Sequence, residues 1–562
     1  MDQSVDPCDD FYKFACGNFI KNTNLDDDEH SRNSFSVISV TIFHQIRMIV
    51  TDPIQSEELR PFKMTKLLFK SCMDQEQTEK LGLGPIKEIL KSIGGWPVLE
   101  GDKWNKSKFT WMDIMYKLIV PDKIVGVNYF MELSVERDIK DFISNILYMD
   151  QPSFGHKWEY LIQGKDHDSV NRYYKYMVDI AVLFGADRQR ATEEMRESLD
   201  LEIELAKISR SMEEEQDITM SYNPMKIADI QQKFPSIPWQ EFLNKMLNQF
   251  IRKDDIINVS SLKYFSSLET LLSKTPKRPE KRQIMYSENN ITQPRWRECA
   301  QISFKYFNVA IESMYVRKFF DSNAKENALE MVKGFKEELY KIISSNEWMD
   351  DEIRKNAMDK AKLMTHNIAY PDELLDDSKL NAYYENLEVN DQDYYTSVLN
   401  LTKFGNNYKK TISVSSVGII YNLYLHITIL PTGVLQGMFF SNDLPLYMIY
   451  GGIGPVIGHE INHGFDNKGR QYDMYGKMVD WWGKRRINAF WKRKSASSIS
   501  MEITLFINSA SKYSYDIISY RTAFMVHTSR INLQLYIYIQ YISINISIFF
   551  FLSLVLLNNP IQ

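Results

Sequence analysis

The most constraining feature of this chain is the run His459-Glu460-Ile461-Asn462-His463. Histidines four residues apart lie one turn apart on the same face of an α-helix, so the segment is predicted to be helical. The two imidazoles could then bind one Zn²⁺, each at about 2.0–2.1 Å, and the glutamate between them could act as a general base. A chance match on a charged helix is the alternative, and it is disfavoured because the chain has only 9 histidines.

The residues around this run favour a helix that carries the histidines into a cleft. Glycines and Pro455 precede it and indicate a helix start after a flexible approach, while Val456 and Ile457 are expected to pack inward. Asp466 follows His463 on the same helical face. Its carboxylate could accept a hydrogen bond from an imidazole N–H and fix the tautomer, and a solvated carboxylate near the helix end is the alternative.

The extended motif resembles the neprilysin family of zinc metalloendopeptidases. Residues 456–470 read V-I-G-H-E-I-N-H-G-F-D-N-K-G-R, and V-D-W-W follows at 479–482. Further similarities occur upstream in the family's order, so that the resemblance covers about residues 5 to 490. They lie at residues 7–17, 71–72, 94–97, 295–299, 348–350 and 431–436.

The resemblance implies a fold that is mainly α-helical with a small β component: a two-lobed, neprilysin-like ectodomain with a zincin-type catalytic lobe. We expect residues 1–50 to join the catalytic lobe and residues 51–275 to form a helical capping lobe that limits access to short peptides. Residues 276–491 would form the catalytic zinc lobe, and residues 492–562 a tail outside the family pattern. The turn-forming stretch K-T-P-K-R-P at 274–279 marks the second boundary.

The same resemblance implies the chemistry of a zinc-dependent endopeptidase. His459 and His463 would bind one Zn²⁺ per chain, and Glu460 would be the catalytic base. Asp466 would orient a zinc-binding histidine through a hydrogen bond. The substrates would be short peptides. A further cation or donor is needed to stabilise the transition state, and no residue at a matching position provides one.

Length and composition fit a large folded ectodomain. A chain of 562 residues is long enough for two or more domains, and 44% hydrophobic residues supply an ample core. The net charge of -6 argues against a nucleic-acid-binding surface. The sequence shows neither a phosphate-binding loop nor a repeat of solenoid length.

The four cysteines bear on the redox compartment. The resemblance implies that Cys72 pairs with Cys299. The family partners of Cys8 and Cys16 would follow Cys299, where this sequence has no cysteine, so these two thiols are expected to be unpaired or paired with each other. A reduced protein with four free thiols, typical of the cytosol, is the alternative.

The first residues contain neither a signal peptide nor an apolar anchor. Because members of the resembled family are secreted or membrane-anchored, we expect an extracellular or plasma-membrane ectodomain with an incomplete N-terminus. A cytosolic variant is the alternative. Membrane association would belong to the full-length protein. Sequons for N-glycosylation give modest support for a secreted glycoprotein, and they lie at Asn105, Asn258, Asn290 and Asn400.

The sequence departs from the family pattern after about Trp491. It becomes rich in Ser, Ile and Tyr, and residues 531–562 contain no charged side chain. Translated non-coding sequence or a frameshift is the favoured interpretation. A C-terminal membrane span of about 20 residues is the alternative.

The third zinc ligand of the family, a glutamate in a G-E-N-x-x-D motif, would lie where the pattern is lost. Glu502 is the only glutamate after Glu460, and its neighbours do not resemble that motif. A catalytic zinc site normally has three protein ligands, so the chain as written is expected to be a defective copy of an active enzyme.

Two alternatives to a peptidase therefore remain: a catalytically inactive binding ectodomain and a non-functional fragment. Other conceivable ligands are Asp473, Asp480, Asp516 and His527.

Substrate binding in the resembled family uses an edge strand whose Asn-Ala pair holds the peptide backbone. Residues 411–430, rich in Ile, Val, Thr and Tyr, are predicted to form strands before the zinc helix. Only Tyr421 keeps the family pattern there, because Gly418 and Ile419 replace the Asn-Ala pair. Residues 381–384 read N-A-Y-Y but are expected to lie on a helix surface.

Arg32 aligns with a family arginine that binds the terminal carboxylate of the substrate. A solvated arginine is the alternative for this residue. Elsewhere, apolar residues at helical spacing predict core helices at 193–211 and 327–344, and Trp158 and Trp239 are expected to serve packing.

Overall fold

A computed structural model describes most of the chain. The described residues are 2–25, 32–104, 110–119, 129–141, 144–211, 214, 218–275, 294–346, 349–391, 393–407, 420–422, 427–466, 468–479 and 481. They are mainly helical and include two small β-sheets, which confirms the predicted fold class.

The α-helices and β-strands are numbered separately in chain order. The helices are α1 (Phe11–Asn22), α2 (Ser34–Thr51), α3 (Arg60–Met73), α4 (Gln75–Leu81), α5 (Gly84–Ser92), α6 (Pro97–Glu100), α7 (Trp111–Ile119), α8 (Trp158–Leu161), α9 (Asp168–Leu183), α10 (Arg188–Ile208), α11 (Ile227–Lys233), α12 (Trp239–Leu247), α13 (Leu262–Lys274), α14 (Arg295–Phe319), α15 (Ser322–Ser345), α16 (Asp351–Leu363), α17 (Asp377–Tyr383), α18 (Tyr394–Asn407), α19 (Leu446–Gly452) and α20 (Gly454–Asn462). The strands are β1 (Glu132–Arg137), β2 (Asn145–Asp150), β3 (Pro224–Lys226), β4 (Ile256–Val259), β5 (Thr365–Ala369), β6 (Ile420–Asn422) and β7 (Ile427–Pro431).

The chain divides into two compact units. Unit 1 comprises Met1–Met73, Ile291–Asn386 and Thr411–Gln562, and unit 2 comprises Asp74–Asn290 and Leu387–Lys410. The chain therefore changes unit after residues 73, 290, 386 and 410, whereas the sequence placed its boundaries at residues 50 and 275 and kept residues 276–491 in one lobe. The first difference arises because α3 packs against α2 and α14 and so extends the N-terminal part of unit 1.

Unit 2 contains a four-stranded sheet of order β1-β2-β4-β3 and two hydrophobic clusters. Trp239 in α12 is fully buried, and its Nε1 donates to the carbonyl of Phe234 at 2.8 Å. Trp158 packs against the second cluster, and its Nε1 donates to the carbonyl of Ala206 at 2.9 Å. Both tryptophans therefore serve packing, as the sequence predicted.

The two predicted core helices are α10 and α15. In α10, Leu199 and Ile203 are buried as expected. In α15 the buried face includes Met331, Val332, Phe335 and Leu339, but Leu329, an apolar residue of the predicted core helix, is 42% exposed. It follows the buried Ala328 and therefore points about one hundred degrees away from the packed side.

A disulfide between Cys72 and Cys299 joins α3 to α14 in unit 1. The two Cα atoms are 5.6 Å apart, and both residues are fully buried. Cys8 is an exposed free thiol and Cys16 a buried one, and burial raises the pKa of Cys16. The bridge implied by the resemblance is thus present, and the alternatives of four free thiols and of a bridge between Cys8 and Cys16 are wrong.

The sequon at Asn258 is not a glycosylation site in this fold. Asn258 lies in β4 with no exposed surface, and its side chain accepts a hydrogen bond from the Asn223 amide at 2.6 Å. It also donates to the carbonyl of Ser221 at 2.8 Å. Asn400 lies half-buried in α18, and the sequons at Asn105 and Asn290 fall outside the described residues.

Of the described helices, α2 is the one with the length and composition to cross a membrane, with a mean hydropathy of 1.3. A core helix can have the same composition, and the packing of α2 against α3 and α14 favours that interpretation. Its buried residues include Ile38, Ile42, Ile46 and Ile49. The tail at 492–562 and its proposed membrane span fall outside the described residues.

The second sheet, in unit 1, has the order β5-β7-β6. Strands β5 and β7 are parallel, with His366 opposite Thr428. Strand β6 pairs antiparallel with β7, with Tyr421 opposite Thr428. Strand β6 is therefore an outer strand of this sheet in the described part of the chain.

His366 makes the stability of unit 1 depend on pH. Burial, with help from the Lys336 cation, lowers the pKa of His366 from 6.5 to about 4. The unfolded chain therefore binds a proton at a higher pH than the folded chain, so this contribution is complete above pH 6.5 and is lost as the pH falls toward 4. We expect His366→Leu to reduce the decrease in unfolding free energy on acidification by up to about 3 kcal/mol.

The free energy of unfolding in urea, measured at about pH 7 and about pH 4.5, tests this expectation. Lys336→Met is the matched variant, because it removes the nearby cation and keeps the imidazole. It should reduce the same loss by a smaller amount. An identical acid dependence in the wild type and in His366→Leu would contradict the assignment.

Candidate metal centre

Helix α20 carries the motif as the sequence predicted. It begins at Gly454 with Pro455 in its first turn, where a missing N–H costs nothing. Ile457 and Ile461 have no exposed surface and hold one face of the helix against unit 1. His463 ends the helix with φ -55° and ψ -26°, so both histidines keep the helical spacing.

The side chains of His459, Glu460 and His463 converge. Their ligand-type atoms all lie within 4.8 Å of one another, and the centroids of the two imidazole rings are 4.5 Å apart. Among the described residues, this is the one group of three or more His, Cys, Asp or Glu side chains that could hold a metal ion. Two imidazole nitrogens and a nearby carboxylate are the donor types of catalytic zinc sites, so these residues fit Zn²⁺.

Asp466 lies behind His463. Its Oδ2 is 2.7 Å from Nδ1 of His463, and its Oδ1 accepts hydrogen bonds from the amides of Lys468 and Gly469, both at 2.8 Å. Burial opposes ionisation of Asp466, but the hydrogen bonds from His463 and the two amides outweigh it and lower its pKa. An ionised carboxylate accepts only, so Nδ1 of His463 donates, and in the neutral imidazole Nε2 then carries the lone pair that can bind a metal.

The turn after Asp466 lies directly against the end of α20. A Cβ atom on Gly469 would be 1.9 Å from the carbonyl oxygen of His463, so only glycine fits there. The carbonyls of Gly469 and Tyr472 both accept hydrogen bonds from Nζ of Lys360, each at 2.7 Å. The position of Lys360 could not be predicted from the sequence, since a lysine in a charged helix is normally exposed. A signal exists in hindsight: Lys360 shares the helical face of the buried residues Ile353, Ala357 and Ala361.

The predicted substrate-binding residues lie in unit 1. Tyr421 is in β6, some of whose Cα atoms lie within 8 Å of Cα atoms in α20. Arg32 is half-buried just before the start of α2. Asn381 and Ala382 lie exposed in α17, as expected of a helix surface. Gly418 and Ile419 fall outside the described residues.

One of the conceivable further zinc ligands can be placed. Oδ1 of Asp473 accepts hydrogen bonds from the amides of Tyr475 and Lys477 at 2.8 and 2.9 Å and so shapes its own turn. The remaining candidates fall outside the described residues: Asp480, Glu502, Asp516 and His527.

Comparison with known proteins agrees with this geometry. Two family models described as peptidase family M13 match the chain, the first at residues 7–287 and 279–371 and the second at 419–499. Neprilysin-2 of Drosophila melanogaster is 35% identical over 86% of this chain and 69% of its own length. Neprilysin-11 of Caenorhabditis elegans is 30% identical over 88% of this chain, which spans 64% of that relative.

Solved structures show the same fold. A zinc metalloprotease of Mycobacterium tuberculosis in complex with an inhibitor superposes with a TM-score of 0.74 at 19% identity, covering 88% of this chain and 78% of that one. The PEPO protein of Lactobacillus rhamnosis gives a TM-score of 0.73 at 19% identity, covering 91% and 86%. With family models matched across most of its length and neprilysins among its relatives, the chain belongs to peptidase family M13.

Proposed function

We propose that this protein is a zinc-dependent endopeptidase that cleaves short peptides, with His459 and His463 as metal ligands. The observation that carries the proposal is the convergence of both imidazoles and the Glu460 carboxylate within 4.8 Å. The names of its relatives support the class of reaction, since they include neprilysins and a membrane metallo-endopeptidase-like protein of Mus musculus.

Each residue of the centre has a distinct role in this proposal. Bound Zn²⁺ would supply a Lewis acid that polarises the scissile carbonyl and acidifies water. Glu460, only 7% exposed, accepts the proton of the attacking water and returns it to the leaving amine. Asp466 holds His463 in the tautomer whose Nε2 would be available to bind the metal.

The substrate would bind along β6. Because β6 is an outer strand among the described strands and lies beside α20, a peptide could pair with its backbone and present a carbonyl to Glu460. Tyr421, which lies in this strand, would contact the bound peptide, and Arg32 would bind the terminal carboxylate of the peptide. The buried disulfide supports an extracellular or plasma-membrane location, since such bonds persist in oxidising compartments.

A catalytically inactive binding ectodomain is the second candidate. It is favoured by the composition of the centre, which within the described residues offers two histidine ligands and no third beyond the catalytic glutamate. Two imidazoles would hold Zn²⁺ more weakly than the three protein ligands of ordinary catalytic sites. Both candidate functions involve bound Zn²⁺, and only the endopeptidase would hydrolyse peptides.

Zinc content and peptide hydrolysis, measured together on the purified full chain, separate the candidates. An endopeptidase binds one Zn²⁺ per chain and cleaves an internally quenched peptide, and both properties disappear in His459→Ala and His463→Ala. His44→Ala, an exposed histidine of α2, is the matched control and should retain both. Zinc binding without hydrolysis would establish the binding ectodomain, and a folded chain that binds no zinc would refute both candidates.

A further inference from the structure

We propose that Lys360 is a positioning residue for the metal centre: it fixes the turn after α20 and, through Asp466, sets the orientation of the His463 imidazole. The inference rests on the proposed role of His463 as a zinc ligand. It extends that proposal to a residue of α16, about one hundred positions earlier in the chain.

The burial of Lys360 is the first observation. It has no exposed surface, although lysine is almost never fully buried unless its ammonium group is paired. Ordinary solubility or surface packing therefore cannot account for it. A buried amine of this kind is retained only where its N–H groups meet fixed acceptors.

Those acceptors all belong to the segment that follows the zinc helix. Nζ donates to the carbonyls of Gly469 and Tyr472, each at 2.7 Å. It also lies 5.6 Å from the ring centroid of Phe465 and 5.9 Å from that of Trp481, within the range of a cation–π contact. One side chain thus contacts four residues of a single short segment.

A continuous line of hydrogen bonds leads from Lys360 to the ligand. Gly469 accepts from Lys360 through its carbonyl and donates through its amide to Oδ1 of Asp466 at 2.8 Å. The other carboxylate oxygen of Asp466 is bonded to His463. The missing Cβ of Gly469 lets the turn lie against the His463 carbonyl. Because the amides of Lys468 and Gly469 both donate to Oδ1 of Asp466, we expect a shift of the turn to move Asp466 with it.

The hydrogen bonds of Lys360 do not require its amine to be in one particular charge state. Burial lowers the pKa of Lys360 to about 7, against the opposing influence of Asp473 and Asp466. An amine that loses a proton still has two N–H donors, and the two carbonyls accept them. Both hydrogen bonds can therefore persist on either side of neutral pH.

Lys336 provides a matched control on α15. It is also partly buried, and its Nζ donates to a backbone carbonyl, that of Met364, at 2.7 Å. That carbonyl lies just beyond the end of α16 and not in the turn that holds Asp466. Replacing Lys336 therefore removes a comparable contact without touching the line of hydrogen bonds.

The test is a double-mutant cycle on Zn²⁺ affinity, measured by titration calorimetry on the full chain. Supporting groups behind zinc ligands typically change metal affinity by about 10–100-fold. We expect Lys360→Met to weaken Zn²⁺ binding by about 10-fold and Asp466→Ala by about 10–100-fold. Because both act on one path, the double variant should bind no more weakly than Asp466→Ala alone. Lys336→Met should bind like the wild type.

Two results would overturn the inference: wild-type affinity in Lys360→Met, or losses that multiply in the double variant. Failure of the proposed function is different, because the wild type itself would then bind Zn²⁺ no better than His459→Ala. If Lys360→Met does not fold, Lys360→Gln replaces it in the cycle, since glutamine stays polar but is one bond shorter and holds its N–H groups back from the two carbonyls. The inference is supported if the Lys360 variant weakens Zn²⁺ binding in the wild-type background and has no further effect in the Asp466→Ala background. It is overturned if the variant has no effect, or has the same effect in both backgrounds.

Discussion

Glu460→Gln should greatly slow peptide hydrolysis and leave Zn²⁺ binding in place. Glutamine keeps the size and the hydrogen-bonding carbonyl of the side chain but cannot accept the proton of the attacking water. General-base catalysis typically contributes about 10²–10⁴-fold, so the rate of hydrolysis should fall by that factor. The two imidazoles are untouched, and Zn²⁺ affinity should stay within about threefold of the wild type.

The measurement compares kcat and Zn²⁺ affinity in the same preparations. Glu338→Gln is a suitable control, since Glu338 is 6% exposed and pairs with Lys341 on α15 of the same unit. It should change neither quantity. If Zn²⁺ affinity falls together with activity in Glu460→Gln, then Glu460 acts as a ligand and not as the base.

Removing the bridge between Cys72 and Cys299 should cost unit 1 a large part of its stability. The bridge spans a sequence separation of 227 residues, and closing a loop of that size in the unfolded chain is worth about 5 kcal/mol in the chain-entropy model. Because domains are typically stable by only about 5–15 kcal/mol, we expect the Cys72→Ala/Cys299→Ala double variant to be largely unfolded at physiological temperature.

Urea unfolding followed by circular dichroism tests this expectation, and Cys8→Ser is the control. Cys8 is an exposed free thiol, so its replacement should change the free energy of unfolding by less than about 0.5 kcal/mol. An unfolding midpoint that does not change when the wild type is reduced would show that the bridge contributes nothing.

The sequence predicted features that depend on short-range pattern or on motifs shared with a known family. Pro455 marks the start of the zinc helix because its fixed φ and missing N–H suit a first turn, and the structure begins α20 one residue before it. The bridge between Cys72 and Cys299 followed from the family resemblance. Strand β6, with Tyr421, was found within a stretch rich in β-forming residues.

Features that depend on the environment of one side chain could not be predicted in this way. The Asn258 sequon has an ordinary sequence, and only the pairing of β4 with its neighbours shows that it is buried. The anchoring role of Lys360 depends on the path of a turn about one hundred residues later. Leu329 has an apolar side chain whose exposure is decided by the neighbours of α15 and not by its own character.

The position of the disulfide also determines the covalent topology of the protein. Cys72 lies just before the chain leaves unit 1, and Cys299 lies just after it returns. A protease that cleaves once between them therefore cannot release the N-terminal segment, which stays bonded to the portion that carries α20. The fragments would separate on a denaturing gel only after reduction, so limited digestion of this protein under non-reducing conditions would conceal cuts made in the part of unit 2 between Asp74 and Asn290.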